Sequence, residues 1–192
     1  MSLSGNYVID RTQVLQKAYA LLCLFFANKE IARRTDSADD TAPLLMLEKR
    51  FFEGEASRLL LEIAVAVRVI DDQMKSLSEE HPARIDYERR KLYVDKFAFG
   101  MFDDLNLNLR KTCNKIIHSD AMEPHTQEGQ EAHEHDLAAI FEGERQSIDW
   151  EHFNGFVRLC GTERGVFWYV LLDVEVFVSA IVRMFADALN AA

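Results

Sequence analysis

A short stretch, Cys113-Asn114-Lys115-Ile116-Ile117-His118-Ser119, sets polar residues and one histidine around an apolar dipeptide at the end of a helical pattern. An imidazole titrates near neutrality, so it can take or give a proton in general acid–base work. Asn114 lies four residues before His118, and on a helix that spacing makes the two neighbours on one face. Arg110, Lys111 and Lys115 add cationic groups close by, the kind that stabilise negative charge on a phosphate. Arg110 precedes His118 by eight residues, which leaves it about 80° around an ideal helix from the histidine. The purely structural reading of His118 is a helix-end imidazole that interacts with the terminal carbonyls and the helix dipole.

Other residues invite chemistry less strongly. His125, His133, His135 and His152 stand among carboxylates, and His133-Glu134-His135-Asp136 suggests metal ligands. No HExxH or paired ExxH spacing accompanies them, so a solvated acidic loop is the preferred reading and no metal or cofactor is expected. Glu62 lies inside an apolar run, where a carboxylate needs a partner; Arg58, four residues earlier, supplies one. Gly161-Thr162-Glu163-Arg164-Gly165 lacks a P-loop lysine and a dinucleotide-binding context, and reads as a hairpin loop. The rings of Phe167, Trp168 and Tyr169 then read as hairpin packing rather than as a base-stacking platform.

The Asn114 to His118 turn resembles the motif of the HEPN superfamily, helical domains often acting as ribonucleases or as partners of nucleotidyltransferases. That motif is an arginine, four to six residues, then a histidine, with asparagine common after the arginine. Asn114 and His118 match it, whereas Cys113 occupies the arginine's place and Arg110 falls one residue outside the usual spacing. The resemblance implies a bundle that dimerises so that two motifs face each other, and metal-independent RNA cleavage by paired histidines and arginines. Carried onto this chain, His118 is the proton-transfer group and Asn114 its polar companion. Arg110 is the nearest substitute for the arginine, with Lys111 and Lys115 as nucleic-acid contacts. A cysteine at position 113 cannot hold a phosphate as an arginine does, so the resemblance implies a degenerate motif and leaves endoribonuclease activity open.

Charge distribution bears on an RNA partner. The formal net charge of −10 opposes one, yet between Ser119 and His152 there are ten acidic residues and a single basic one, Arg145. The remainder is nearly neutral, with basic clusters at Arg33-Arg34, Arg89-Arg90-Lys91, and Arg110-Lys111 with Lys115. The three cysteines, Cys23, Cys113 and Cys160, form no CxxC pair, which fits a reducing cytoplasm. No leader pattern opens the sequence. Glu62 and Arg68 interrupt the apolar run 59–70, and Asp173 and Glu175 interrupt 166–178, so no membrane span is expected.

The elements that must position His118 follow from periodicity. Asp10 caps a helix over 11–34, and Pro43 opens a longer one to about residue 77. A turn at 78–82 precedes helices over 84–92 and 94–109, with Gly100 as a separator, and a further helix over 105–118 ends at the motif. Pro124, Gly129 and a lack of apolar anchors predict an acidic mobile loop over about 119–135. Two β-prone runs predict a hairpin over about 156–170, and helical periodicity returns over 174–189. A chain of 192 residues suits a single domain. The expected fold is all-α for the most part: an antiparallel helical bundle with a small β-hairpin before the last helix. The functional expectation is a cytoplasmic homodimer with an RNA-linked or defence-type role. Its rival is a non-enzymatic module that binds a partner protein.

Overall fold

The computed structural model describes residues 9–35, 42–101, 107–132 and 147–189, and helices dominate them. Helix α1, Arg11–Arg34, starts where the Asp10 carboxylate accepts a hydrogen bond from the Thr12 N–H at 2.8 Å. Its core stripe of Val14, Ala18, Leu21 and Phe25 steps by three and four residues, one face of a 3.6-residue helix. Helix α2, Pro43–Ser76, begins on a proline, whose missing N–H is harmless in a first turn. It buries Phe52, Ala56, Leu59, Leu60, Ile63, Ala64, Val67 and Ile70. Helix α3, Pro82–Val94, repeats the proline start behind His81, whose Nδ1 accepts from the Ala83 N–H.

Helix α3 does not continue into the helix expected over 94–109. The chain turns instead into a two-residue strand, β1 (Gly100–Met101), paired with the strand that precedes the last helix. Gly100 is needed there, since a Cβ at that position would fall on the Leu171 carbonyl. Helix α4, Leu109–Ile117, starts later than the expected residue 105, because the Asn108 side chain caps it by accepting from the Lys111 N–H at 2.9 Å.

The sheet is larger than a hairpin. Strands β2 (Ala121–Ala132), β3 (Ser147–Glu163) and β4 (Val166–Asp173) join β1 in an antiparallel sheet of order β1-β4-β3-β2. The hairpin expected over 156–170 is present as β3 and β4, but its turn is only Arg164-Gly165. Both residues have positive φ, 52° and 79°, as a two-residue type I′ connection requires. Gly161 therefore lies in β3 opposite Trp168 rather than in a loop.

The acidic loop expected over 119–135 is corrected for residues 121–132, which form β2, while 133–146 lie outside the described residues. β3 is 17 residues long, so its edge away from β4 offers unpaired backbone groups, and a polar segment can pair there without much to bury. Pro124 is tolerated because β2 is an edge strand. The register jumps from Pro124 opposite Val157 to Thr126 opposite Phe153, and Gly155 at φ +89° takes up the bend. Beyond the bend, β2 and β3 form an arm that rests on α1 and α2. Phe153 stacks on Phe52 at 4.3 Å, and the Asn28 carbonyl oxygen accepts from the Phe153 N–H.

Val157 and Leu159 of β3 and Trp168, Val170 and Leu172 of β4 turn one sheet face into the core. Helix α5, Val174–Phe185, capped by Asp173, closes it with Phe177, Ile181 and Met184, and a 3-10 turn, Ala186–Leu189, follows. Among the described residues no helix is long and apolar enough to cross a membrane.

Candidate functional site at the seam of α2 and α4

Helix α4 is only nine residues long, and two surfaces hold it. Thr112, Cys113 and Ile116 face the core and are fully buried, while Arg110 and Asn114, one turn apart, meet α2. Cys113 is thus enclosed beneath the seam, near enough to Arg68, Asp71 and Arg110 for their charges to act on its thiol. An arginine there would be buried in the core, so the alignment that puts Cys113 in the arginine's place does not place a cation at the site. Burial pushes the Cys113 thiol up to about 12, which keeps it protonated at neutral pH.

Polar contacts along the seam run in register. Arg110 pairs with Asp71 and, at 2.8 Å, with Asp72, while the Asn114 carbonyl oxygen accepts from Arg68. The helices are therefore antiparallel here, and His118 lies one turn beyond Asn114, toward the Val65 end of α2. His118 is exposed and closes α4, its N–H donating to the Asn114 backbone carbonyl at 3.0 Å. His118 therefore stands at the helix end with the residue open to solvent.

Asp71 organises the seam. It is 2% exposed, and it accepts from Lys75 at 2.9 Å, from the Tyr87 hydroxyl at 3.3 Å and from Arg110. Burial pushes its carboxyl up, but Lys75 and Arg110 outweigh burial and hold it below the ordinary aspartate range. Tyr87 is pushed far the other way, by burial first and then by the Asp71 charge, so it remains a hydrogen-bond donor.

The hairpin carries the other end of α4. Lys115 pairs with Glu163 at 3.2 Å and lies 4.1 Å over the Trp168 ring. The Asp120 N–H donates to the Cys160 carbonyl at 2.7 Å. Gly161 lets the chain approach closely, since a Cβ there would lie 2.9 Å from the His118 carbonyl and against Trp168. Lys115, expected as a nucleic-acid contact, is engaged by the hairpin, whereas Lys111 is exposed.

The structure thus sets Arg110 and Asn114 against α2, puts His118 one turn further along α4 beside the hairpin, and adds three residues that the sequence reading did not take as site residues: Arg68, Asp71 and Gly161. Arg68 registers in the sequence only as a charge interrupting an apolar run. Asp71 carries a readable signal, because it continues the phase of the buried Leu60, Ile63, Ala64 and Val67 and so needs a cation.

The remaining candidates separate. Glu62 takes Arg58 at 2.6 Å and also Lys17 at 2.8 Å, an ordinary ion-pair cluster. His125 is exposed beside Asn154, His152 is a buried residue of the arm itself, and His133 and His135 lie outside the described residues. Among the described residues no three His, Cys, Asp or Glu side chains gather as a metal would require. Two clefts of about 390 and 490 Å³ flank the arm, lined by Phe25, Phe52, Glu128, Trp150 and His152, and no motif residue borders either. No protein-family model matches the chain, and neither curated proteins nor solved structures yield a match.

Proposed function

We infer that the chain is a HEPN-like helical-bundle protein that acts as a dimer on RNA through the exposed end of α4. The observation that supports this is the ridge of Arg110, Asn114 and His118, with Arg68 of α2 bonded to its central residue and the imidazole open to solvent. An exposed imidazole can take the proton of a ribose 2′-hydroxyl, and guanidinium groups can hold the adjacent phosphodiester. Because no arginine stands at the motif position itself, cleavage would be weak and binding the stronger property.

The dimer this reading calls for has a candidate face. Leu44, Leu47, Phe51, Gly54, Arg58, Leu61, Val65 and Arg68 follow one another along α2 in alternating steps of three and four, the spacing of a helix-pairing seam. The five apolar members of this series are each between 40% and 61% exposed. The seam leads toward His118, so a second copy paired on it would lie beside the ridge. The same stripe is what favours the rival reading, in which α2 binds a different protein.

The test is single-turnover cleavage of a single-stranded oligoribonucleotide, with sedimentation of the same samples. The reading expects a dimer and a slow activity that His118→Ala removes without changing the melting temperature. A monomer that neither binds nor cuts RNA would leave the stripe to another protein and put the interaction-module reading in its place.

A further inference from the structure

Two guanidinium groups from different helices share one exposed carboxylate. Asp72 offers Oδ1 to Arg110 at 2.8 Å and Oδ2 to Arg68 at 3.5 Å, and its side chain is 56% exposed, against 19% for Arg68 and 30% for Arg110. The arginines are fixed from behind: Arg110 by the buried Asp71, and Arg68 by the Asn114 carbonyl oxygen. Asn114 accepts through that oxygen, so its amide N–H groups are left to donate. Arg68 also keeps a buried Nε with no partner among the described groups.

We propose that Arg68, Arg110 and Asn114 form a seat for a phosphodiester and that Asp72 is a built-in occupant which an RNA phosphate displaces. This rests on the RNA reading above and replaces the arginine missing from position 113 with a pair drawn from two helices. A phosphodiester presents two non-bridging oxygens in much the same fork as a carboxylate, and guanidinium groups match either. Displacing Asp72 costs little, since an exposed ion pair is screened by solvent and contributes little net stability. The seat then gains charge: Lys75 and Arg110 already answer Asp71, so removing the Asp72 carboxylate leaves Arg68 uncompensated beside the open position. Asp72 consequently weakens binding of any anion that reaches the ridge and favours one that brings further contacts, such as a base or ribose beside His118.

The test measures binding of a short oligouridylate and, separately, of inorganic phosphate to the full chain at fixed salt. Asp72→Asn is expected to tighten the oligonucleotide about tenfold, the effect of removing one charge a few ångströms from the ligand. Arg68→Gln is expected to weaken it by at least that factor. Arg68→Lys should recover part of the loss, as a point charge without the fork. Arg158→Gln, at the exposed Arg158–Glu123 pair, makes the same change of charge elsewhere and should have little effect. Binding unaltered or weakened by Asp72→Asn, or Arg68→Gln indistinguishable from Arg158→Gln, overturns the seat. The two readings fail separately. Oligonucleotide bound in an Asp72- and Arg68-dependent way but never cut leaves the seat standing without the nuclease, and His118-dependent cleavage indifferent to both residues does the reverse. Inorganic phosphate responding as strongly as the oligonucleotide would assign the seat to free phosphate and overturn the phosphodiester assignment.

Discussion

Helix α2 carries two carboxylates whose surroundings pull them in opposite directions. Asp71, at the seam with α4, is the more deeply buried, yet Lys75 and Arg110 hold its carboxyl below the ordinary range. Glu48, under the arm of β2 and β3, is only half-buried, and its carboxyl is raised because burial outweighs both the amide of Asn28, which donates to it, and the charge of Lys49 nearby. Depth alone therefore does not set the charge state; the number of cations within reach does. Near Glu48 the indole N–H of Trp150 is buried without a hydrogen-bond partner among the described groups, whereas both Asp71 oxygens accept hydrogen bonds. The seam is organised around fixed charge and the arm around rings and neutral dipoles, which supports anion chemistry at the first and not at the second.

The contrast is most severely tested by putting a charge into the core side of the seam. Cys113→Arg should destabilise the chain by about 4 kcal/mol or more, since it buries a cation and puts a much larger side chain into a fully buried site. Urea unfolding measures it, and a variant as stable as wild type would mean that position 113 can turn toward the ligand after all.

Removing the buried anion comes next. Asp71→Asn should cost about 3 kcal/mol, because Arg110 and Lys75 lose their common partner. The pH dependence has a definite sign. A carboxyl whose folded pKa is depressed contributes stability above its unfolded value, near pH 4, and loses it as the pH falls through the folded value. Wild type should therefore lose stability on acidification below about pH 4 more steeply than Asp71→Asn does. Parallel acid limbs in the two proteins would contradict the pairing.

Glu48 supplies the smallest effect and the opposite sign. With its folded pKa raised, the ionised form is disfavoured in the folded chain, so stability falls as the pH rises from about 4 through the folded value. Glu48→Gln should then stabilise the chain slightly at pH 7 and change little near pH 3, where the carboxyl is protonated in both the folded and the unfolded chain. Destabilisation at pH 7 would show that Lys49 and Asn28 outweigh the burial of Glu48 and would collapse the contrast with Asp71.

The same two regions explain what could be read in advance. The α1 stripe, the proline start of α2 and the β3–β4 hairpin are legible because apolar periodicity, helix starts and glycine turns are local properties. Strand β2 is not, because an edge strand buries little and satisfies its backbone on a neighbour far along the chain, so its composition is that of a loop. β1 escapes notice for a similar reason: two residues carry no period. At the site, His118 and Asn114 stand out by spacing, and Arg110 by proximity in sequence. Arg68 comes from a helix 46 positions before Asn114, and only tertiary packing joins them.

The central claim is that His118 and the arginine pair at the seam of α2 and α4 receive one anionic ligand. Histidine ring resonances, followed by NMR while an oligouridylate is titrated into the protein, address it directly. The account predicts saturable shifts at His118 and at the Asn114 side-chain amide, with His81 and His125 unmoved. Shifts confined to His125 or His152 at the arm, or no shift at His118 when binding is otherwise detected, would contradict it.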